Sequence, residues 1–296
     1  MSLAEVDLSD RASIRGLGPQ NLARSARFFR SEIGMVFRRR RNQALLVVLA
    51  GVPILIAVAI KISGSPNNGG GGSGGALFSS ITENGVFVAF SALFVVVPFF
   101  LPMAVSVVAG DSISGEANTG TLRYLLAVPA GRTRLLAVKY VGILAWCVAC
   151  SVVIAVMGVA IGLILFGGGD VTLLSGTSVS LASGLGRLAI VAAFVAVNAA
   201  AIGAIGLFVS TLTEVPIAAM ATTLGLTITS QVLDAVPQIS AIHPWLLSHY
   251  WQQFIDVLRD PMMLDKVGHG LLAAGTYTVL FLSMAWARFS SKDVTS

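Results

Sequence analysis

Residues 110–139 read GDSISGEANTGTLRYLLAVPAGRTRLLAVK, the longest polar passage near the middle of a chain that is otherwise a succession of apolar runs. Acids stand at its start, Asp111 and Glu116, and bases follow at Arg123, Arg132, Arg134 and Lys139. Between them Leu122, Leu125 and Leu126 recur at the spacing of one helix face. Gly115 and Gly120 let the chain turn ahead of that face, and Pro129 stops it. The pattern predicts a short amphipathic helix from about Thr121 to Ala127, set beside a membrane between two spans. Basic residues next to the following span suit a cytoplasmic loop, and an apolar stripe on such a loop suits a soluble partner.

Working outward, composition decides the class. The 296 residues are 55% hydrophobic and 11% charged, with a mean hydropathy of +0.86, whereas soluble domains carry about 25% charged residues. The chain therefore reads as an all-α membrane protein. Its net charge of +5 does not argue for nucleic acid, because nine of the nineteen basic residues are arginines before residue 42, where a membrane surface accounts for them. Cys147 and Cys150 both lie inside an apolar run, which excludes a disulfide framework. Two thiols supply half of a tetrahedral metal site and no His or carboxylate is near in sequence, so they read as packing residues. The basic segment before the first apolar run is too long for a cleavable signal peptide.

Six spans are predicted, at about 43–60, 84–109, 140–166, 187–210, 216–236 and 269–287, within a transmembrane domain over 42–288. Residues 1–20 read as a mobile tail, 21–41 as an amphipathic interfacial helix with Leu22, Phe29, Ile33, Val36 and Phe37 along one side, and 289–296 as a second tail. The glycine-rich stretch 63–75 lacks the lysine and Ser/Thr of a P-loop and reads as an outer linker; no P-loop occurs in the chain, so ATP hydrolysis is not expected of it. Basic residues number fifteen on the flanks grouped with the 110–139 loop and the termini, against four at Lys61, Arg187, Arg259 and Lys266, which predicts cytoplasmic termini.

Two polar stripes mark a candidate pathway. Ser91, Pro98, Pro102 and Ser106 lie on one face of the second span, and the two prolines four apart should bend it. Thr223, Thr227, Gln231 and Asp234 step by 4, 4 and 3 along the fifth span, and polar groups in a membrane face a bundle interior or water. Small residues at Ala200, Gly203, Ala204 and Gly206 suit close packing of the fourth span, and Asn198 suits a hydrogen bond to a neighbour. The segment HPWLLSHYWQQFIDVLRDP, 243–261, predicts a helix in the outer interface with Leu247, Trp251, Phe254 and Leu258 on one face. His243 and His249 read as polar rim residues, and no metal is expected.

The order SGE, GTLRYLL, then P, R, R, LL and K across 114–139 resembles the cytoplasmic loop of bacterial type-2 ABC transporter permeases. The resemblance extends more loosely to the six spans, the basic amphipathic segment before them and the large last outer loop. It implies that Glu116, Gly120, Thr121, Leu122, Arg123, Pro129 and Arg132 belong to a coupling helix resting on a separate ATPase subunit, with Leu125 and Leu126 completing the apolar face that seats there. It further implies a homo- or heterodimer of permease chains with two ATPase subunits in the bacterial plasma membrane. ATP and Mg2+ would sit on the partner and no cofactor on this chain, and the second and fifth spans would meet near the dimer axis. An ion-coupled carrier and a non-transport membrane scaffold are the alternatives. The carrier usually needs a buried charge relay, and here only Asp234 is acidic within a span.

Overall fold

Hydrocarbon offers no water to backbone amides, so long runs of Leu, Val, Ile and Ala satisfy them internally as helices. The computed structural model describes residues 34–63, 73–82, 84–120 and 132–291. In chain order the helices are α1 (Arg40–Ser63), α2 (Ser73–Ser80), α3 (Val86–Val96), α4 (Phe100–Asn118), α5 (Arg132–Phe166), α6 (Leu181–Leu212), α7 (Pro216–Asp234) and α8 (Asp265–Ser291). Five of these, α1, α5, α6, α7 and α8, are long and apolar enough to cross a membrane; α3 and α4 pass the same test together, bent by 59° at the break between them, which makes six where the pair counts as one span. A two-stranded hairpin, Val171–Thr172 with Ser178–Val179, and two 3-10 stretches, Pro237–Trp245 and Gln253–Leu258, complete the described elements. The chain is thus an α-helical, multi-pass membrane-type bundle.

Most spans outrun the predicted boundaries, and α4 and α5 do so furthest at one end. Helix α5 has 35 residues, which at 1.5 Å per residue is about 50 Å and exceeds a hydrocarbon core of about 30 Å. It begins at Arg132 rather than Tyr140, and α4 runs on to Asn118 past the expected end at Ala109. The polar residues of 110–118 and 132–139 carry the helices beyond the apolar layer, since Ser, Glu, Arg and Lys are compatible with helix once water is available.

Helix α6 is the axis, packing on α4, α5 and α8. Of its apolar window 78% is buried, against 17% for α7 and α8, which leave broad faces open. Its small residues make this possible: a Cβ at Gly203 would lie 2.4 Å from Ile143 Cγ2, and one at Gly206 would lie 2.6 Å from Ala109 Cβ. Asn198 lies buried at mid-helix but bonds Phe194 O of its own helix at 2.9 Å rather than a neighbour. Helix α6 ends at Leu212 and α7 starts at Pro216, a tight hairpin with proline in the first turn. Cys147 and Cys150 are free, buried thiols.

The 243–261 segment differs from the expected interfacial helix. It forms 3-10 turns, and Leu247, Trp251, Phe254 and Leu258 are all buried in the protein core. Trp245 alone of its tryptophans is strongly exposed. The apolar stripe was legible, but the elements its Phe254–Leu258 part packs on, α6 and α8, were not. Arg187 ties the segment down, its Nη1 donating to Val257 O at 2.5 Å and Arg259 O at 2.8 Å.

Candidate functional site

Two polar regions stand at opposite ends of the bundle. At the first, the flanks of the 110–139 loop are bound together by charge. Lys139 of α5 pairs with Glu116 of α4, both side chains nearly buried. Asp111, one helical turn and a residue earlier on α4, takes Arg39 and Arg41 from the start of α1, the latter at 3.0 Å. Three segments distant in sequence therefore meet through ion pairs where α1, α4 and α5 leave the apolar layer. Phe37 lies on Trp146 of α5, with ring centroids 5.7 Å apart, and Trp146 in turn donates to Ala104 O of α4 at 3.2 Å. The apolar side of the basic segment at Val36 and Phe37 thus faces protein. The rest of that segment, residues 21–33, lies outside the described residues, as do the predicted tail at 1–20 and residues 292–296 of the one predicted at 289–296, whose residues 289–291 belong to α8.

Of the predicted coupling residues, Glu116 and Gly120 are described. Gly120 has φ +70, a left-handed conformation natural only to glycine, and it ends α4 as the turn signal predicted. Arg132 begins α5. Thr121, Leu122, Arg123, Leu125, Leu126 and Pro129 lie outside the described residues.

The second region forms where the second span breaks. Pro98 falls between α3 and α4, and Pro102 in the first turn of α4. In an unbroken helix the carbonyl of Phe94 would accept from residue 98, and that of Pro98 from residue 102, but proline has no N–H. Both carbonyls need donors from elsewhere. Gln231 Nε2 of α7 donates to Pro98 O at 2.6 Å, and Gln252 Nε2 approaches Phe94 O at 3.5 Å. Pro98, Gln231 and Gln252 line a cavity of about 190 Å3 together with Asp234, Ala235, Ser248 and Trp251. Trp251 Nε1 is buried without a partner. Beside the cavity Asp234 Oδ1 sits 2.7 Å from His249 Nδ1 and 3.9 Å from His243 Nδ1.

The remaining stripe residues are packed in the interior. Ser91, Ser106, Thr223 and Thr227 are fully buried. Thr223 donates to Ala219 O and Thr227 to Leu224 O, both at 2.8 Å within α7, while the hydroxyls of Ser91 and Ser106 lack partners. Thr223 also approaches Gly206 of α6, where a Cβ would be 3.3 Å from its Cγ2. The two stripes thus converge between α3, α4, α6 and α7, and the cavity lies at their Pro98–Gln231 end. Sequence reasoning missed Gln252 and Trp251 as cavity residues. The two prolines announce which carbonyls lack donors, but nothing local says which side chains answer them.

Fold and sites together define a multi-pass helical membrane protein with a charged clamp at one end and a polar break at the other. Residues 54–295 match the family described as Protein of unknown function (DUF2705), and the chain belongs to that family. No curated protein matches it.

Proposed function

We propose that the chain is the membrane-spanning subunit of an ATP-driven exporter of the type-2 ABC class, residing in the bacterial plasma membrane with both termini cytoplasmic. It pairs with a second permease chain and with two copies of a separate ATPase that holds ATP and Mg2+. The observation that carries this reading is the Lys139–Glu116 pair, which joins the last turn of α4 to the first turns of α5 on either side of the loop resembling a coupling helix. Force delivered to residues 121–131 would reach both spans at once, and through Asp111 and its arginines the start of α1 as well. The convergence of the α4 and α7 stripes supplies a path along which such movement can open space. Neutral hydroxyls in a mostly apolar wall suit an amphipathic or lipidic cargo.

The test is co-purification with transport in reconstituted vesicles. The tagged chain in mild detergent should bring down a P-loop ATPase, and transport should require ATP. Absence of any ATPase, with equal transport when ATP is omitted, refutes the class. The Asp234–His249 contact favours one second reading, an ion-coupled carrier; transport driven by an imposed proton gradient alone would decide for it.

A further inference from the structure

We propose that Asp234, His243 and His249 bind a divalent transition-metal cation of the Zn2+ type at the end of α7. Asp234 closes α7, His243 lies in the 3-10 stretch Pro237–Trp245, and His249 follows four residues after that stretch. One ligand atom from each lies within 4.8 Å of the other two. Bonds of about 2.0–2.1 Å around a tetrahedral ion set neighbouring ligand atoms about 3.3 Å apart. The separations from Asp234 Oδ1, 2.7 Å to His249 Nδ1 and 3.9 Å to His243 Nδ1, lie on either side of that spacing. Small side-chain rotations bring the three atoms around one ion.

An independent observation concerns the back of the site. His243 Nε2 lies 3.1 Å from Val236 O. With the Nε2–H donating to that carbonyl, Nδ1 keeps its lone pair and is the nitrogen that faces Asp234, as metal-ligating histidines are commonly held. His249 Nδ1 without metal donates to the carboxylate; a cation takes the place of that proton. The carboxylate and two neutral imidazoles leave one positive charge on a divalent ion. The adjoining cavity of about 190 Å3, lined also by Gln231 and Ser248, has room for water as a further ligand. Two nitrogens and one oxygen favour Zn2+ or Co2+ over Mg2+ and Ca2+, which prefer oxygen throughout. Partial exposure, 16% for the His243 side chain and 30% for His249, gives the ion a way in. Bound metal would fasten the end of α7 to the segment that carries Gln252 and Trp251.

The experiment uses the full chain, with whatever subunits accompany it, purified on a tag free of histidine and dialysed against buffered free Zn2+ before elemental analysis. About one Zn2+ per chain is expected, with Asp234→Asn, His243→Gln and His249→Gln each weakening binding at least about tenfold. The Cys147→Ser/Cys150→Ser variant should bind as wild type does. Co2+ in place of Zn2+ should give the visible absorption of a low-coordinate nitrogen and oxygen site. Failure of the wild-type chain to retain Zn2+ overturns the proposal, leaving the Asp234–His249 contact a plain hydrogen bond. Retention that survives all three triad substitutions, or that is lost with the thiols, overturns it equally.

Discussion

The side-chain amide of Gln231 donates to the carbonyl of Pro98 at 2.6 Å, across 133 residues of sequence. That carbonyl is without its helical donor because residue 102 is also proline, so one proline creates the need at the other and a distant glutamine meets it. Gln231→Ala should therefore destabilise the detergent-solubilised protein by about 1 kcal/mol, the net worth of a part-buried hydrogen bond. In a Pro102→Ala background, which restores an N–H at that position, the same substitution should cost less than half as much. Thermal unfolding of the four proteins as a double-mutant cycle measures it, and an additive result would show the hydrogen bond to be incidental.

At the opposite end, Lys139 and Glu116 are both largely withdrawn from solvent. Breaking such a pair from one side withdraws the countercharge from the other, whereas neutralising both does not. Lys139→Met should cost about 3 kcal/mol, and adding Glu116→Gln should recover part of the loss. Denaturation of the single and double variants tests this; a double variant less stable than Lys139→Met contradicts it.

Close approach of α3 and α5 depends on two glycines facing each other. A Cβ at Gly162 would lie 1.9 Å from Gly85 O, a backbone atom that no rotamer change can move. Gly162→Ala should cost about 3 kcal/mol or more by overpacking. Gly225, on the open face of α7, has nothing within 4 Å of its would-be Cβ, so Gly225→Ala should be neutral or stabilise by up to about 1 kcal/mol. The yield of monodisperse protein and its unfolding temperature distinguish the two.

Ser91 and Ser106 bury hydroxyls without partners. If they serve the folded state alone, they serve it badly, and Ser91→Ala and Ser106→Ala should stabilise it by about 1 kcal/mol. A loss of transport in either variant, with stability kept or raised, would mark the hydroxyl as functional. Loss of stability in both would reveal a hydrogen bond absent from this conformation.

Coupling is tested on the apolar face predicted for 121–127. Truncating a buried anchor at an interface commonly costs about 2 kcal/mol or more, and a rim charge under about 1 kcal/mol. Leu125→Ala and Leu126→Ala should thus reduce ATPase retention more than Arg123→Ala does. Glu116→Gln should reduce transport more than retention, because its partner Lys139 belongs to the neighbouring span. Wild-type retention and transport in the leucine and Glu116 variants would end the coupling assignment.

Composition and hydropathy period determined the class of this protein before any coordinate, because hydrocarbon admits few solutions for a backbone and each apolar run had to be a helix. The spacing of Pro98 and Pro102 likewise announced a break, and Gly203 and Gly206 a close contact, since steric and hydrogen-bonding deficits are properties of the residues themselves. Helix ends were less legible: Arg132 and Asn118 extend their helices because water, not apolarity, supports the polar turns. Tertiary structure alone decided the partners. Which glutamine reaches Pro98, that Lys139 meets Glu116, that Phe254 and Leu258 are buried in a stretch packed on α6 and α8, and that His243 and His249 converge on Asp234 depend on how helices far apart in sequence cross. Period and propensity act within one element, whereas a pairing exists only once two elements are set side by side.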